Sequence, residues 1–161
     1  MKIKICGITE IETLNFLIEN GVDYVGFIFH ENSPRNVTHA FINEIKNIDF
    51  QKTRPVCVFV NPEKSFVNSS LRYFEDPIIQ FHGDESEDFC KLFDCEFWKA
   101  LRIKDSKSLE DMKHFKNAQA ILCDTFKAGI YGGTGRSFEW EILNTDLFLD
   151  KKIILSGGLS I

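Results

Sequence analysis

Along the chain, short apolar runs rich in Ile, Val and Phe alternate with longer stretches whose apolar residues recur at helical spacing, and turn-forming residues separate the two. The runs predict strands at Ile3–Cys6, Tyr24–Phe29, Pro55–Val60, Pro77–Phe81, Phe97–Leu101, Ala120–Asp124 and Lys152–Leu155. The stretches between them predict helices at Glu10–Glu19 with Thr9 as N-cap, Ala40–Ile48, Pro62–Tyr73 with proline in the first turn, Ser86–Phe93, Ser106–Phe115 and Phe138–Leu143. Several strands are apolar almost throughout, as strands of a parallel sheet covered on both faces must be.

Strict alternation of this kind implies right-handed crossovers and leaves two architectures, an open doubly wound sheet or a barrel. A doubly wound nucleotide-binding fold would carry a Gly-rich phosphate loop after its first strand, yet Cys6-Gly7-Ile8-Thr9 fits neither the dinucleotide nor the P-loop pattern. Polar and Gly-rich signals instead follow nearly every strand, as they do at the catalytic face of a barrel. The expected fold is α/β: one domain over residues 1–161, a (β/α)₈ TIM barrel with about seven strands visible.

Composition narrows the function. With 161 residues, 43% hydrophobic and 27% charged, the chain can bury one substantial core but not two ordinary ones. Its formal charge of −5 comes without a basic run, which argues against a nucleic-acid partner. The opening MKIKICGIT is neither a signal peptide nor a membrane span, so a cytoplasmic protein without a membrane partner is expected. Five cysteines, Cys6, Cys57, Cys90, Cys95 and Cys123, are read as free thiols. Cys90 and Cys95 are not followed by a second Cys/His pair at finger-like spacing, and no metal site is expected. His30, His39 and His114 each lie alone in a polar stretch and carry no site.

The candidate chemistry sits at strand ends. Cys6 ends the first strand beside Gly7, near a helix N-terminus whose dipole favours a thiolate; taken alone it is more simply read as a small core hydrophobe. Asp124 ends the sixth strand, where a carboxylate can act as general acid or base or simply tie a loop. The Gly-rich segment Gly129–Arg136 after it could cradle phosphate, close as a lid or merely connect. Ser156-Gly157-Gly158-Leu159 follows the seventh strand, where barrel enzymes commonly place half of a phosphate grip. Arg35, in Ser33-Pro34-Arg35, could hold a carboxylate bidentately, and alternation puts Gln80 and His82 on the same side of the fourth strand end.

These segments occur together and in order: Lys4-Ile5-Cys6-Gly7-Ile8-Thr9, Val25–Phe29 leading to Ser33-Pro34-Arg35, Val58-Phe59-Val60-Asn61, Gln80-Phe81-His82-Gly83-Asp84-Glu85, Asp124-Thr125 with Gly132-Gly133-Thr134-Gly135 and Phe138-Glu139-Trp140, and Ser156-Gly157-Gly158-Leu159. In order and spacing the chain resembles the phosphoribosylanthranilate isomerases from end to end. The resemblance implies an Amadori rearrangement of N-(5-phosphoribosyl)anthranilate in tryptophan biosynthesis, with a small phosphosugar substrate and no metal or organic cofactor. It implies Cys6 as base, Asp124 as acid and Arg35 as the grip on the anthranilate carboxylate. Gln80 and His82 would line the pocket, and Gly133, Thr134, Gly135, Gly157 and Gly158 would face the sugar phosphate.

That family continues past its Gly-Gly-Leu motif through an eighth β/α unit, so roughly 40 to 50 residues are expected beyond Ile161. A barrel open at that point exposes two strand edges, which invites a homodimer or a second chain supplying the missing unit. Two other readings stay open: another phosphosugar-binding barrel isomerase or lyase, and a truncated, non-catalytic barrel fragment.

Overall fold

The computed structural model describes residues 1–104, 106–125 and 151–157. Seven strands lie among them: β1 (Lys4–Cys6), β2 (Tyr24–Phe29), β3 (Arg54–Phe59), β4 (Ile78–Phe81), β5 (Phe97–Ile103), β6 (Ala120–Thr125) and β7 (Lys152–Leu155). Helices α1 (Ile11–Glu19), α2 (His39–Ile45), α3 (Lys64–Leu71) and α4 (Glu87–Cys90) follow β1 to β4 in turn, and a 3₁₀ segment, Ser106–His114, follows β5. The chain divides into two compact units, Met1–Gln80 and Phe81–Ile161.

In the first unit β1, β2 and β3 pair in parallel and in sequence order, with Cys6 opposite Gly26, and Gly26 opposite Val56. The last five residues of both β2 and β3 are buried. Phe27 is fully buried, stacks on Phe74 at a centroid distance of 5.0 Å and meets Phe50 edge-on at 6.1 Å. Phe29 stacks on Phe59 at 5.2 Å. These rings fill the space that α1 closes with Leu14, Leu17 and Ile18, and α2 with Phe41, Ile42 and Ile45. Thr38 caps α2, its hydroxyl accepting from the Phe41 N–H at 3.1 Å.

The second unit repeats the plan. β5, β6 and β7 are parallel and in sequence order, Arg102 standing opposite Asp124 and Cys123 opposite Leu155. Phe81 is fully buried among the rings of Phe89, Phe93 and Phe97, all within 6.2 Å. Ser86 caps α4 by accepting from the Phe89 N–H, and the Glu87 carboxylate accepts from the Asn117 backbone N–H at 2.7 Å, a bond that holds its pKa below the usual carboxylate value.

Every strand was legible from the apolar runs, with ends displaced by a residue or two. The helix ends needed correction. Thr9 is not the N-cap of α1: the turn at Gly7, φ +86°, delays the helix, and Glu10 caps it without a side-chain hydrogen bond. Pro62 does not lie in the first turn of α3 but ahead of its cap, Glu63, because the chain leaves β3 through a left-handed Asn61. The helices α2 and α4 stop at Ile45 and Cys90, short of Ile48 and Phe93. In place of an α-helix over Ser106–Phe115 there is a 3₁₀ segment, Ser106–His114. The buried residues Leu109 and Met112 within it and Phe115 just past its end recur every third position, which suits three residues per turn. The predicted helix Phe138–Leu143 lies outside the described residues. No helix among the described residues is long and apolar enough to cross a membrane.

All five cysteines are free. Burial pushes the thiols of Cys90 and Cys123 up from 9.0 to about 12. Native protein treated with iodoacetamide at pH 8 should therefore be alkylated at the half-buried Cys6 and Cys95 while Cys90 and Cys123 stay unmodified, as peptide mapping would read. These two thiols also set an alkaline limit. Their folded pKa exceeds the unfolded one, so the stability they contribute is complete below pH 9 and is lost progressively toward pH 12, visible as a falling unfolding midpoint. Phe27→Ala should lower unfolding free energy by about 3–5 kcal/mol in a urea titration, since it empties the centre of the aromatic cluster.

Candidate active site

In the first unit the site grows from the ends of β1 and β2. Alternation along β1 puts Lys4 and Cys6 on one face and Ile5 on the other, and Cys6 is half-buried. Gly26, opposite Cys6, is required by space: a Cβ there would come within 2.6 Å of Cys6 Sγ and 3.1 Å of Lys4 Nζ. Past Cys6 the backbone turns at Gly7, and the N–H groups of Gly7 and Ile8 both donate to the Gly26 carbonyl, at 2.8 and 3.1 Å.

Arg35 reaches this turn from the loop after β2. Its Nη1 donates to the Cys6 carbonyl at 2.9 Å, and its side chain lies so close over Gly7 that a Cβ there would stand 2.7 Å from Arg35 Cδ. The loop holds its own shape: the Arg35 N–H donates to Ser33 Oγ, the Ser33 N–H to the His30 carbonyl, and the His30 N–H to Asn36 Oδ1. Arg35 is thus anchored through one guanidinium nitrogen to the Cys6 carbonyl, on an exposed loop. Gln80 ends this unit and is 1% exposed on β4.

In the second unit the centre is Asp124. It is 2% exposed at the end of β6, and its Oδ2 lies 3.2 Å from Nε2 of the buried His82, which directly follows β4. A carboxyl and an imidazole so placed share a hydrogen bond in either protonation state: a protonated Asp124 donates to the ring nitrogen, or a protonated ring donates to the carboxylate. After β7 the Ser156 N–H donates to the Cys123 carbonyl at 3.0 Å, bringing Gly157, φ +85°, alongside the end of β6. Gly133, Thr134, Gly135 and Gly158 lie outside the described residues.

Two further residues stand behind His82. Both carboxylate oxygens of Glu85 accept from the Gly83 N–H, at 3.0 and 3.1 Å. Lys99 Nζ donates to Glu85 Oε2 at 3.1 Å, to the Gly83 carbonyl at 2.7 Å and to the Ala100 carbonyl at 3.1 Å. The pair is almost wholly buried and borders a cavity of about 430 Å³. Asp84, on the same loop, pairs with Arg102. The sequence reading did not single out Lys99, although one signal was there: a charge inside the apolar run Phe97–Leu101 can be buried only if it is paired.

The family model for N-(5'-phosphoribosyl)anthranilate isomerase matches residues 3–161. The chain belongs to the phosphoribosylanthranilate isomerase family. It is 41% identical over 162 residues to the isomerase of a Sulfurihydrogenibium species, an alignment covering 99% of this chain and 78% of that one. Among solved structures, it is similar to a monomeric form of the dimeric isomerase of Thermotoga maritima, with a TM-score of 0.82 and 29% identity over 99% of this chain and 76% of that one. It is also similar to an isomerase in complex with reduced 1-(o-carboxyphenylamino)-1-deoxyribulose 5-phosphate, with a TM-score of 0.81, 29% identity and the same coverage. The expected (β/α)₈ barrel class is borne out. Seven strands lie among the described residues, and the chain spans about three quarters of the length of these family members.

Within this family's barrel the turn at Gly7 is the most constrained backbone of the site. Gly7→Ala should destabilise the protein by about 1–2 kcal/mol in denaturant unfolding, because L-residues disfavour the left-handed region. It should also displace Arg35, whose atoms the new methyl would strike.

Proposed function

We propose that Asp124 and Cys6 are the acid and base of the family's reaction. That reaction converts N-(5-phosphoribosyl)anthranilate to 1-(2-carboxyphenylamino)-1-deoxyribulose 5-phosphate in tryptophan biosynthesis. The observation that carries this assignment is Asp124 itself: a buried carboxyl at a strand's C-terminal end, hydrogen-bonded to an imidazole that can accept or return a proton.

The chemistry consists of proton transfers. Asp124 donates to the furanose ring oxygen, the C1′–O bond breaks, and the aniline nitrogen supplies the electron pair that makes an iminium. Cys6, as thiolate, then removes the C2′ proton; the electron pair of that C–H bond neutralises the iminium and leaves an enolamine, which ketonises to product. No step changes oxidation state overall or calls for a metal. Arg35 holds the anthranilate carboxylate through its unanchored N–H groups, Gln80 and His82 line the pocket, and Gly157, with Gly133, Thr134, Gly135 and Gly158, receives the sugar phosphate through backbone N–H groups. The protein works in the cytoplasm, as a homodimer or with a second chain completing the barrel.

Conversion is followed as loss of the fluorescence of phosphoribosylanthranilate generated in situ. Cys6→Ala and Asp124→Asn should each lower kcat by about 10²–10⁴-fold, the usual weight of a positioned acid or base. Arg35→Met should chiefly raise KM, by about tenfold or more, as loss of a charge-assisted bond would. Turnover that survives either of the first two changes would remove that residue from the mechanism. A folded wild-type chain without turnover would make this a barrel portion that needs a partner.

A further inference from the structure

Burying an ion pair costs several kcal/mol of desolvation per charge, and apolar residues of the same volume often serve stability as well or better. Glu85 and Lys99, at 2% and 3% side-chain exposure, therefore call for an explanation beyond core filling. Their hydrogen bonds supply one. All three donors of the Lys99 ammonium are used, and both oxygens of Glu85 are directed at a single backbone N–H.

The target of both is Gly83. Its N–H belongs to the peptide plane joining it to His82, and that plane is held by Glu85; its carbonyl belongs to the next plane, and that is held by Lys99 at 2.7 Å. The loop that carries His82 is thus clamped on both sides of one residue by charged groups, which bind backbone more strongly and more directionally than neutral ones. Phe115 covers the ammonium, 5.4 Å from its ring centroid. The Asp84–Arg102 pair ties the following residue to β5.

We propose that the Glu85–Lys99 pair is a positioning device: by fixing both peptide planes of Gly83 it holds His82 against Asp124 and so aims the acid. The aim matters only if Asp124 is the acid, so this rests on the function proposed above, but the clamp itself is read without turnover. An apolar pair in the same space would fill the volume without holding either peptide plane of Gly83.

The test uses the full chain labelled with ¹⁵N. In wild type the Gly83 amide should exchange with solvent at least about tenfold more slowly than the exposed loop amides, and the His82 Nε2 resonance should report a hydrogen bond. In Glu85→Gln/Lys99→Met, which removes both charges together at similar volume, Gly83 exchange should accelerate by about tenfold or more. The His82 resonance should move toward that of a free imidazole, and kcat should fall while KM changes little. The double variant avoids stranding one buried charge, the hazard of either single change. Rapid Gly83 exchange in wild type overturns the proposal, as does a folded double variant with wild-type Gly83 exchange and His82 resonance. If the double variant does not fold, the wild-type exchange and resonance decide. Full turnover in Asp124→Asn would instead remove the acid assignment and leave the clamp as measured.

Discussion

Parallel pairing in sequence order is the constraint on which the rest depends. Within each unit neighbouring strands pair in parallel and so leave by the same end, and the residues just past those ends are gathered there. Because β2 to β6 are largely buried, their interiors are mostly apolar, and most of the candidate polar groups stand where a strand stops. Cys6, Gln80, His82 and Asp124 all stand at such stops. Register then fixes neighbours: Gly26 beside Cys6 because β1 and β2 align there, and Arg102 beside Asp124 because β5 and β6 do.

The two units rely on different interactions around their candidate residues. The first relies on small residues and backbone. Gly7 turns the chain, Gly26 clears room for the sulfur, and Arg35 is positioned by one bond to a carbonyl and by a glycine that lets it lie flat. The second relies on buried charge. Asp124, His82, Glu85 and Lys99 are each at most 9% exposed and make hydrogen bonds that a hydrophobic core could not replace in kind.

Aromatic packing supports both arrangements from beneath. Phe27 and Phe81 are fully buried at the centre of one ring cluster in each unit. Such clusters hold the strands rigid, and rigidity passes to residues at the strand ends, where an error of an ångström would separate a hydrogen-bonded acid from its partner.

The sequence by itself determined the strands, because an uninterrupted apolar run of four to seven residues has few other fates once both faces are buried. It also determined the order of the polar motifs, and with them the family. Helix limits were less legible. The residues at Thr9 and Pro62 suit a helix start locally, but the left-handed turns at Gly7 and Asn61 set where the chain can begin to coil. The spacing at Leu109, Met112 and Phe115 fits an α-helix and a 3₁₀ segment alike until packing against β5 selects the tighter form. Only the tertiary structure joined His82 to Asp124 across 42 positions and Lys99 to Glu85 across 14, because a hydrogen bond between distant residues depends on which strands become neighbours and in what register, and a linear sequence records neither.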